Sequence, residues 1–281
     1  MPEQTKVVAL KNVSLAYPAG NISVDKISLD IFKSEVVGLV GSNASGKTSL
    51  LKVIAGYMSM TGGDIALGGI SIGEYNERML NDFMIFVEQN PESQLTGPTV
   101  EDELARNCRL RGMKGRVIET TVSNILQEIE LPEGRDWFLD EISIGERRRV
   151  ALGLALLGAP KLLLLDEPLS DLDDQGVSTT ISLLRKFKEK GTSILLTSHK
   201  LDDAINIADR ICVLEHGKLL AVNKPEEIIR ETEALQKAGI SLPQIPSLLL
   251  ELESAGAVSF DKCPLDLKGA KEIIASFIKP S

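Results

Sequence analysis

Cysteine is scarce in this chain: three in 281 residues, at Cys108, Cys212 and Cys263, odd in number and far apart. That excludes a disulfide framework and the paired spacing of a zinc site, and it points to a reducing cytosol. Basic residues are in deficit, 31 Lys and Arg against 40 Asp and Glu, for a net charge of −9. A broad nucleic-acid-binding surface is therefore not expected, and Arg147-Arg148-Arg149 is the one local basic patch to explain. Long apolar runs are also missing. Met1 to Lys6 has no apolar signal core, and the greasiest stretch, Val150 to Leu165, is split by Pro160-Lys161, which reads as a buried helix and then a strand. What remains is ordinary for a globular chain: 43% hydrophobic residues and a length that allows one large domain with an appendage, or two domains.

The most informative segment is Gly41-Ser42-Asn43-Ala44-Ser45-Gly46-Lys47-Thr48, which follows the apolar run Val36 to Val40 and precedes Leu50 to Ile54. A strand turning through a glycine loop into a helix with this spacing is a phosphate-binding P-loop. Its backbone N–H groups cradle the β-phosphate, the helix N-terminus adds positive dipole, Lys47 reaches the β- and γ-phosphates, and Thr48 can hold Mg²⁺. The ligand expected is ATP or GTP.

Leu162 to Leu165 is an apolar run of buried-strand length ending in Asp166-Glu167, at the edge of a parallel sheet where ligands sit. Alone it reads as a leucine strand with a solvated acidic turn. Behind a P-loop it reads as a Walker B pattern, in which alternation aims the two carboxylates differently. Asp166 takes the metal role, and Glu167 polarises the attacking water.

The first third of the chain predicts strands at Val7 to Leu10, Val13 to Tyr17, Ile27 to Phe32 and the P-loop strand, with a turn over Tyr17 to Asn21. Further strands are expected at Ile65 to Leu67, Met84 to Val87, Ser193 to Thr197 and Ile211 to Leu214, the last entering a hairpin turn at Glu215 to Lys218. From Val100 to Gly158 the pattern is helical, with a capped start at Thr99 to Asp102 and helical spacing over Thr120 to Ile129.

Taken in order, these segments resemble the ATP-binding cassette of ABC transporters, over roughly Val7 to Ile228. The resemblance implies ATP as ligand and nucleotide contacts from Tyr17, stacked on adenine, and from Gly41, Ser42, Asn43, Ala44, Ser45, Gly46, Lys47, Thr48 and Ser49. It implies Mg²⁺ held by Thr48, Gln89 and Asp166, and catalysis by Glu167, His199 and Gln89. Ile142-Ser143-Ile144-Gly145-Glu146 stands where the family has LSGGQ, so Ser143 and Gly145 would act on nucleotide held by a second ATPase subunit. Glu167 to Asp173 resembles Walker B running into the D-loop, and Thr197-Ser198-His199 the switch histidine.

A closer resemblance lies in Phe86 to Leu95 and Thr99 to Glu103, which look like the glutamine-loop region of energy-coupling factor (ECF) transporter ATPases. It implies a motor for vitamin or metal-ion uptake, peripheral on the cytoplasmic face of the membrane and docked on a transmembrane coupling subunit. Gly239 to Pro243 and Ser247 to Ala255 resemble that family's C-terminal extension, which pairs ATPase subunits. Ile273, Ile274, Phe277 and Ile278 would form one apolar stripe on a last helix, serving either that pairing or a fold-back onto the same domain.

The departures are Ala44 for a P-loop glycine, and Ile144 and Glu146 for a glycine and the glutamine of the signature. A β-branched side chain would crowd the phosphate, and a carboxylate would repel it. The degraded signature beside intact Glu167 and His199 suggests a heterodimer, with a homodimer as the alternative. The expected architecture is an α/β P-loop NTPase nucleotide-binding domain over 1–230, with a β-rich lobe and a helical subdomain at about 90–159, and an appendage over 231–281. Two rivals stay open: a weakly hydrolysing regulatory nucleotide-binding subunit, and a soluble ABC ATPase such as an iron–sulfur assembly factor.

Overall fold

Apolar residues in the first two strands face inward in steps of two, with one step of three in each. Strand β1 (Lys6–Ala16) buries Val8, Leu10, Val13 and Leu15, and β2 (Ile22–Phe32) buries Val24, Ile27, Leu29 and Ile31. Asn12 and Lys26 both take φ 50°, and each acts as a bulge that returns the next apolar residue to the inner face. The sequence pattern therefore looks like two short strands where one bulged strand exists, and β2 begins at Ile22 rather than Ile27. Residues 5–17 and 22–277 are described by the computed structural model; most of the turn expected over Tyr17 to Asn21 lies outside them.

β1 pairs antiparallel with β2 and with β4 (Gly62–Leu67), and β5 (Ile70–Ser71) completes a four-stranded sheet in the order β2-β1-β4-β5. The second sheet contains β3 (Val36–Val40), β6 (Met84–Val87), β7 (Leu162–Leu165), β8 (Ser193–Ser198), β9 (Arg210–Glu215) and β10 (Lys218–Asn223), in the order β10-β9-β3-β8-β7-β6. All its neighbours are parallel except the β9–β10 hairpin, whose turn residues His216 and Gly217 both have positive φ, as a tight two-residue turn requires.

Buried on both faces, the parallel strands are almost wholly apolar and serve two cores at once. Val37, Leu39, Leu162, Leu164, Leu195 and Cys212 face the antiparallel sheet and helix α1 (Lys47–Ile54). Val36, Val40, Leu163, Leu165, Ile194 and Leu196 face the other helices. These include α3 (Val100–Leu110), α4 (Arg116–Glu128) and α5 (Ile144–Gly158) of the helical region, with α6 (Asp174–Glu189) following β7; α2 (Glu77–Phe83) precedes β6. Thr99 caps α3 by accepting from Asp102 N, as its sequence predicts.

Short helices α7 (Leu201–Ile205) and α8 (Pro225–Ile228) lead to the C-terminal region, with α9 (Thr232–Lys237), α10 (Gln244–Ser254) and α11 (Leu267–Phe277). Leu235, Ala238, Ile240, Leu249, Cys263 and Ala270 there are buried in the same core as Ile211 and Val213. Ile274 packs against that core, Phe277 is half exposed, and Ile278 lies outside the described residues. Among the described residues no helix is long and apolar enough to cross a membrane.

Candidate nucleotide site

Strand β3 delivers the chain at Gly41 to the carboxyl edge of the parallel sheet, where Gly41 N donates to Ser198 O. A Cβ at Gly41 would lie 2.2 Å from Leu214 O, so only glycine lets the loop pass the neighbouring strand. At Gly46, φ is 105° and a Cβ would lie 2.1 Å from Ser23 O. Both pattern glycines are thus sterically required. Ala44 occupies the left-handed region at φ 64° with its methyl in solvent, a conformation that costs an alanine about 1–2 kcal/mol. The substitution is accommodated rather than rejected.

Lys47 opens α1 and folds back over the loop, with Nζ donating to Gly41 O at 2.8 Å and Ser42 O at 2.9 Å. Its ammonium is buried and stands 3.8 Å from Glu167 Oε1. Burial lowers the Lys47 pKa, opposed by Glu167, Asp166 and Glu215. Thr48 Oγ1 donates to Asp166 Oδ2 at 2.8 Å, while Thr197 Oγ1 donates to Asp166 Oδ1 at 2.7 Å and accepts from Glu167 N. Glu167 itself has φ 49°, which turns the chain sharply out of the sheet just past β7. Ser45 Oγ is buried with no hydrogen-bond partner in the wall of the cavity.

That cavity, of about 620 Å³, is lined by the loop residues Asn43 to Ser49 together with Tyr17, Gln89, Glu167, Asp171 and His199. Tyr17 stands half exposed at its rim, its hydroxyl 3.1 Å from Ser49 Oγ. Gln89, past the end of β6, is exposed on the same cavity. His199 meets Glu167 directly, Nδ1 to Oε2 at 2.6 Å, rather than standing clear of it to face a phosphate. An N–H-rich loop, a buried lysine and an orphaned hydroxyl suit a polyphosphate. The hydroxyl of Thr48 and the carboxylate of Asp166 beside them are hard oxygen donors, as Mg²⁺ requires.

Ser143 and Gly145 are not part of this cavity. They line a second one of about 670 Å³ with Ile144, Glu146, Asp171, Leu172 and Asp173. Here Glu146 also takes part in the helix start. Ser143 and Glu146 form a capping box on α5: Glu146 N donates to Ser143 Oγ, while Ser143 N at 2.8 Å and Ser143 Oγ at 2.7 Å both donate to Glu146 Oε2. The carboxylate is engaged by its own helix start, and Ile144 stands half exposed beside it.

Two groups that sequence reasoning passed over belong to the neighbourhood. Ser170 lines the nucleotide cavity, and its Oγ donates to Glu167 O. Arg148, read only as part of a basic run, is buried and donates to Gln89 and Ser170. Its place three and seven residues before the buried Ala151 and Ala155 puts it on the inner face of α5, which helical periodicity could have revealed.

Comparison with known proteins agrees with this geometry. The sequence pattern of the ABC transporter family matches residues 24–170. The energy-coupling factor transporter ATP-binding protein EcfA2 of Caldanaerobacter subterraneus subsp. tengcongensis is 31% identical over 280 residues, covering 97% of this chain and 98% of its own length. An ABC transporter ATP-binding protein of Methanosarcina mazei is 35% identical over 87% of this chain, which spans only 43% of that longer protein. Among solved structures, cbiO1 of Clostridium perfringens, described as part of the ABC transporter complex cbiONQ, superposes with a TM-score of 0.74 at 26% identity, over 88% of this chain and all of that one. With a P-loop past one strand of the parallel sheet, a carboxylate pair past another that it meets through Thr48 and Asp166, and a family match spanning both, this chain belongs to the ABC transporter family of ATPases.

Proposed function

We propose that the chain is the ATP-binding and ATP-hydrolysing subunit of an ECF-type importer, driving uptake of a vitamin or metal ion from the cytoplasmic face of the membrane. The observation that carries this reading is the end-to-end match to an EcfA2 protein, which extends through the C-terminal helices beyond the common cassette. The likeness to a subunit of the cbiONQ complex supports it.

In this reading the loop from Gly41 to Thr48 binds the phosphates, with Lys47 leaving its carbonyl partners to meet the β- and γ-oxygens. Tyr17 packs on the adenine at the cavity rim. Thr48 and Asp166 would hold Mg²⁺ with Gln89 beside them, and the bound ion would supply positive charge against the phosphates. Glu167 orients and polarises the attacking water. His199 fixes the carboxylate through its 2.6 Å contact until nucleotide draws the ring to the γ-phosphate.

The signature face and the P-loop face are separate cavities on one chain, which supports a dimer in which each subunit completes the other's site. The groove where Tyr57 and Phe86 meet Asn107, Arg111 and Leu154, between lobe and helical region, is suited to receive the transmembrane coupling subunit. The capping box at Ser143 and the bulk of Ile144 favour a second reading in one respect: the site completed by this signature is weak, as in a regulatory subunit.

Affinity purification from detergent-solubilised membranes tests the proposal. The expected result is co-purification of an integral membrane subunit and a second ATPase. Recovery of the chain with soluble partners only would overturn it in favour of a soluble ABC ATPase.

A further inference from the structure

Arg148 is the least exposed cation in the helical region, and its guanidinium is spent entirely on main-chain and hydroxyl acceptors from two loops distant in sequence. Nε and Nη2 donate to Gln89 O at 3.2 and 3.1 Å, Nη2 also donates to Ser170 Oγ at 3.0 Å, and Nη1 donates to Ser170 O. Ser170 in turn ties to the catalytic turn twice, its Oγ donating to Glu167 O at 3.0 Å and its N to the same oxygen at 3.2 Å. One planar fork therefore joins the start of the signature helix α5, the strand end bearing Gln89, and the positive-φ turn bearing Glu167. Burial lowers the Arg148 pKa, opposed in part by Asp171 and Glu167. A lone buried cation without a carboxylate in hydrogen-bond contact is costly, so its retention calls for a role.

We infer that Arg148 is a positioning residue for hydrolysis, locking Gln89 and Glu167 to the signature helix so that the water-activating carboxylate is correctly set only when the helical region is seated on the sheet. The inference rests on the ATPase reading above. It predicts that loss of the fork displaces Glu167 and Gln89 relative to each other while leaving the P-loop intact, because no bond of Arg148 reaches residues 41–49. Small displacements of a reacting group cost rate rather than ground-state binding. Lysine is a poor substitute: it has one nitrogen, and the acceptors here belong to two separate loops.

The test uses the full-length chain in its membrane complex, with Arg148→Met, Arg148→Lys, Ser170→Ala and the control Glu167→Gln. For Arg148→Met the expected result is a kcat lower by about tenfold or more, with KM for ATP and ATP affinity within about threefold of the parent. Arg148→Lys should recover only part of the loss, and Ser170→Ala should add little to Arg148→Met because both break one chain of bonds. Should Arg148→Met fail to fold, Arg148→Lys and Ser170→Ala decide alone: both lowering kcat at constant KM supports the inference, and parental kcat in both overturns it. Parental kcat in Arg148→Met, or a fall in thermal stability with kcat untouched, also overturns it. The control separates failures. If Glu167→Gln hydrolyses ATP normally, the ATPase reading of the site is wrong; if Glu167→Gln is inactive and Arg148→Met is not impaired, only this inference is wrong.

Discussion

Glu167 and His199 meet at 2.6 Å just beyond the ends of two adjacent parallel strands, each residue lying past the last ladder position of its own strand. Strand pairing alone brings them together, since 32 residues separate them in the chain. The carboxylate is also 3.8 Å from the Lys47 ammonium, so it stands between that cation and the histidine.

Glu167→Gln should bind ATP as the parent does and hydrolyse it about 10²-fold or more slowly, since the amide can hold the same place but cannot assist as a base. ATP should then accumulate a closed dimer, visible by size-exclusion chromatography. Parental turnover in the assembled complex would refute the role given to Glu167.

Lys47→Ala removes a buried ammonium from the P-loop. A charge-assisted contact of about 1.5–3 kcal/mol predicts an affinity loss of roughly ten- to hundredfold, measured by titration calorimetry. An unchanged dissociation constant would contradict it.

Ile144→Gly combined with Glu146→Gln should relieve crowding and remove a charge costing about 1 to 4 kcal/mol beside a phosphate. Glutamine can keep the capping box with Ser143, so the change of charge is read without loss of the helix start. In a homodimer the purified subunit alone gains ATPase activity. In a heterodimer the gain appears only at the partner's site, measured with Glu167→Gln in this chain. Absence of gain in either arrangement would show the signature substitutions to be tolerated.

Cys212 is completely buried in β9, and burial pushes its thiol from 9.0 up to about 12. Between those values the unfolded thiol has lost its proton while the folded one keeps it, so stability falls as pH rises, by up to about 1.4 kcal/mol per pH unit from this group. Cys212→Val should flatten the stability-versus-pH curve from about pH 9 upward in urea unfolding. The same slope in both proteins would assign the alkaline loss elsewhere.

The P-loop and the Asp166-Glu167 pair were legible because their chemistry is local: a glycine that clears Leu214 O, a lysine six residues on, and a strand ending in carboxylates. The continuous run of β1 through Asn12 was not, because a bulge breaks the alternation that identifies a strand, and the chain then resembles two. The involvement of Glu146 with Ser143 is carried by the S-x-x-E spacing of a capping box, a pattern that overlaps the signature in the same five residues. Arg148 was hidden among neighbours of its own kind, since composition does not distinguish a buried arginine from the partly exposed Arg147 and Arg149 flanking it. Contacts such as Arg148 to Gln89, 59 residues apart, exist only after the sheet and helices have assembled.

Leu162 to Leu165 is four identical residues, yet odd and even positions belong to different cores. Nothing in the chemistry of a leucine tells the strand which face it should show, so phase is kept by length alone, by the number of peptide units between Pro160 and Asp166. Removing one leucine would leave an equally greasy strand that pairs as well, but it would bring Asp166 one rung early, on the side opposite Thr48. Such a deletion would be nearly silent to any measure of hydrophobicity while disconnecting the carboxylates from the loop they serve. In this segment the protein is far more tolerant of which apolar residue is present than of how many there are.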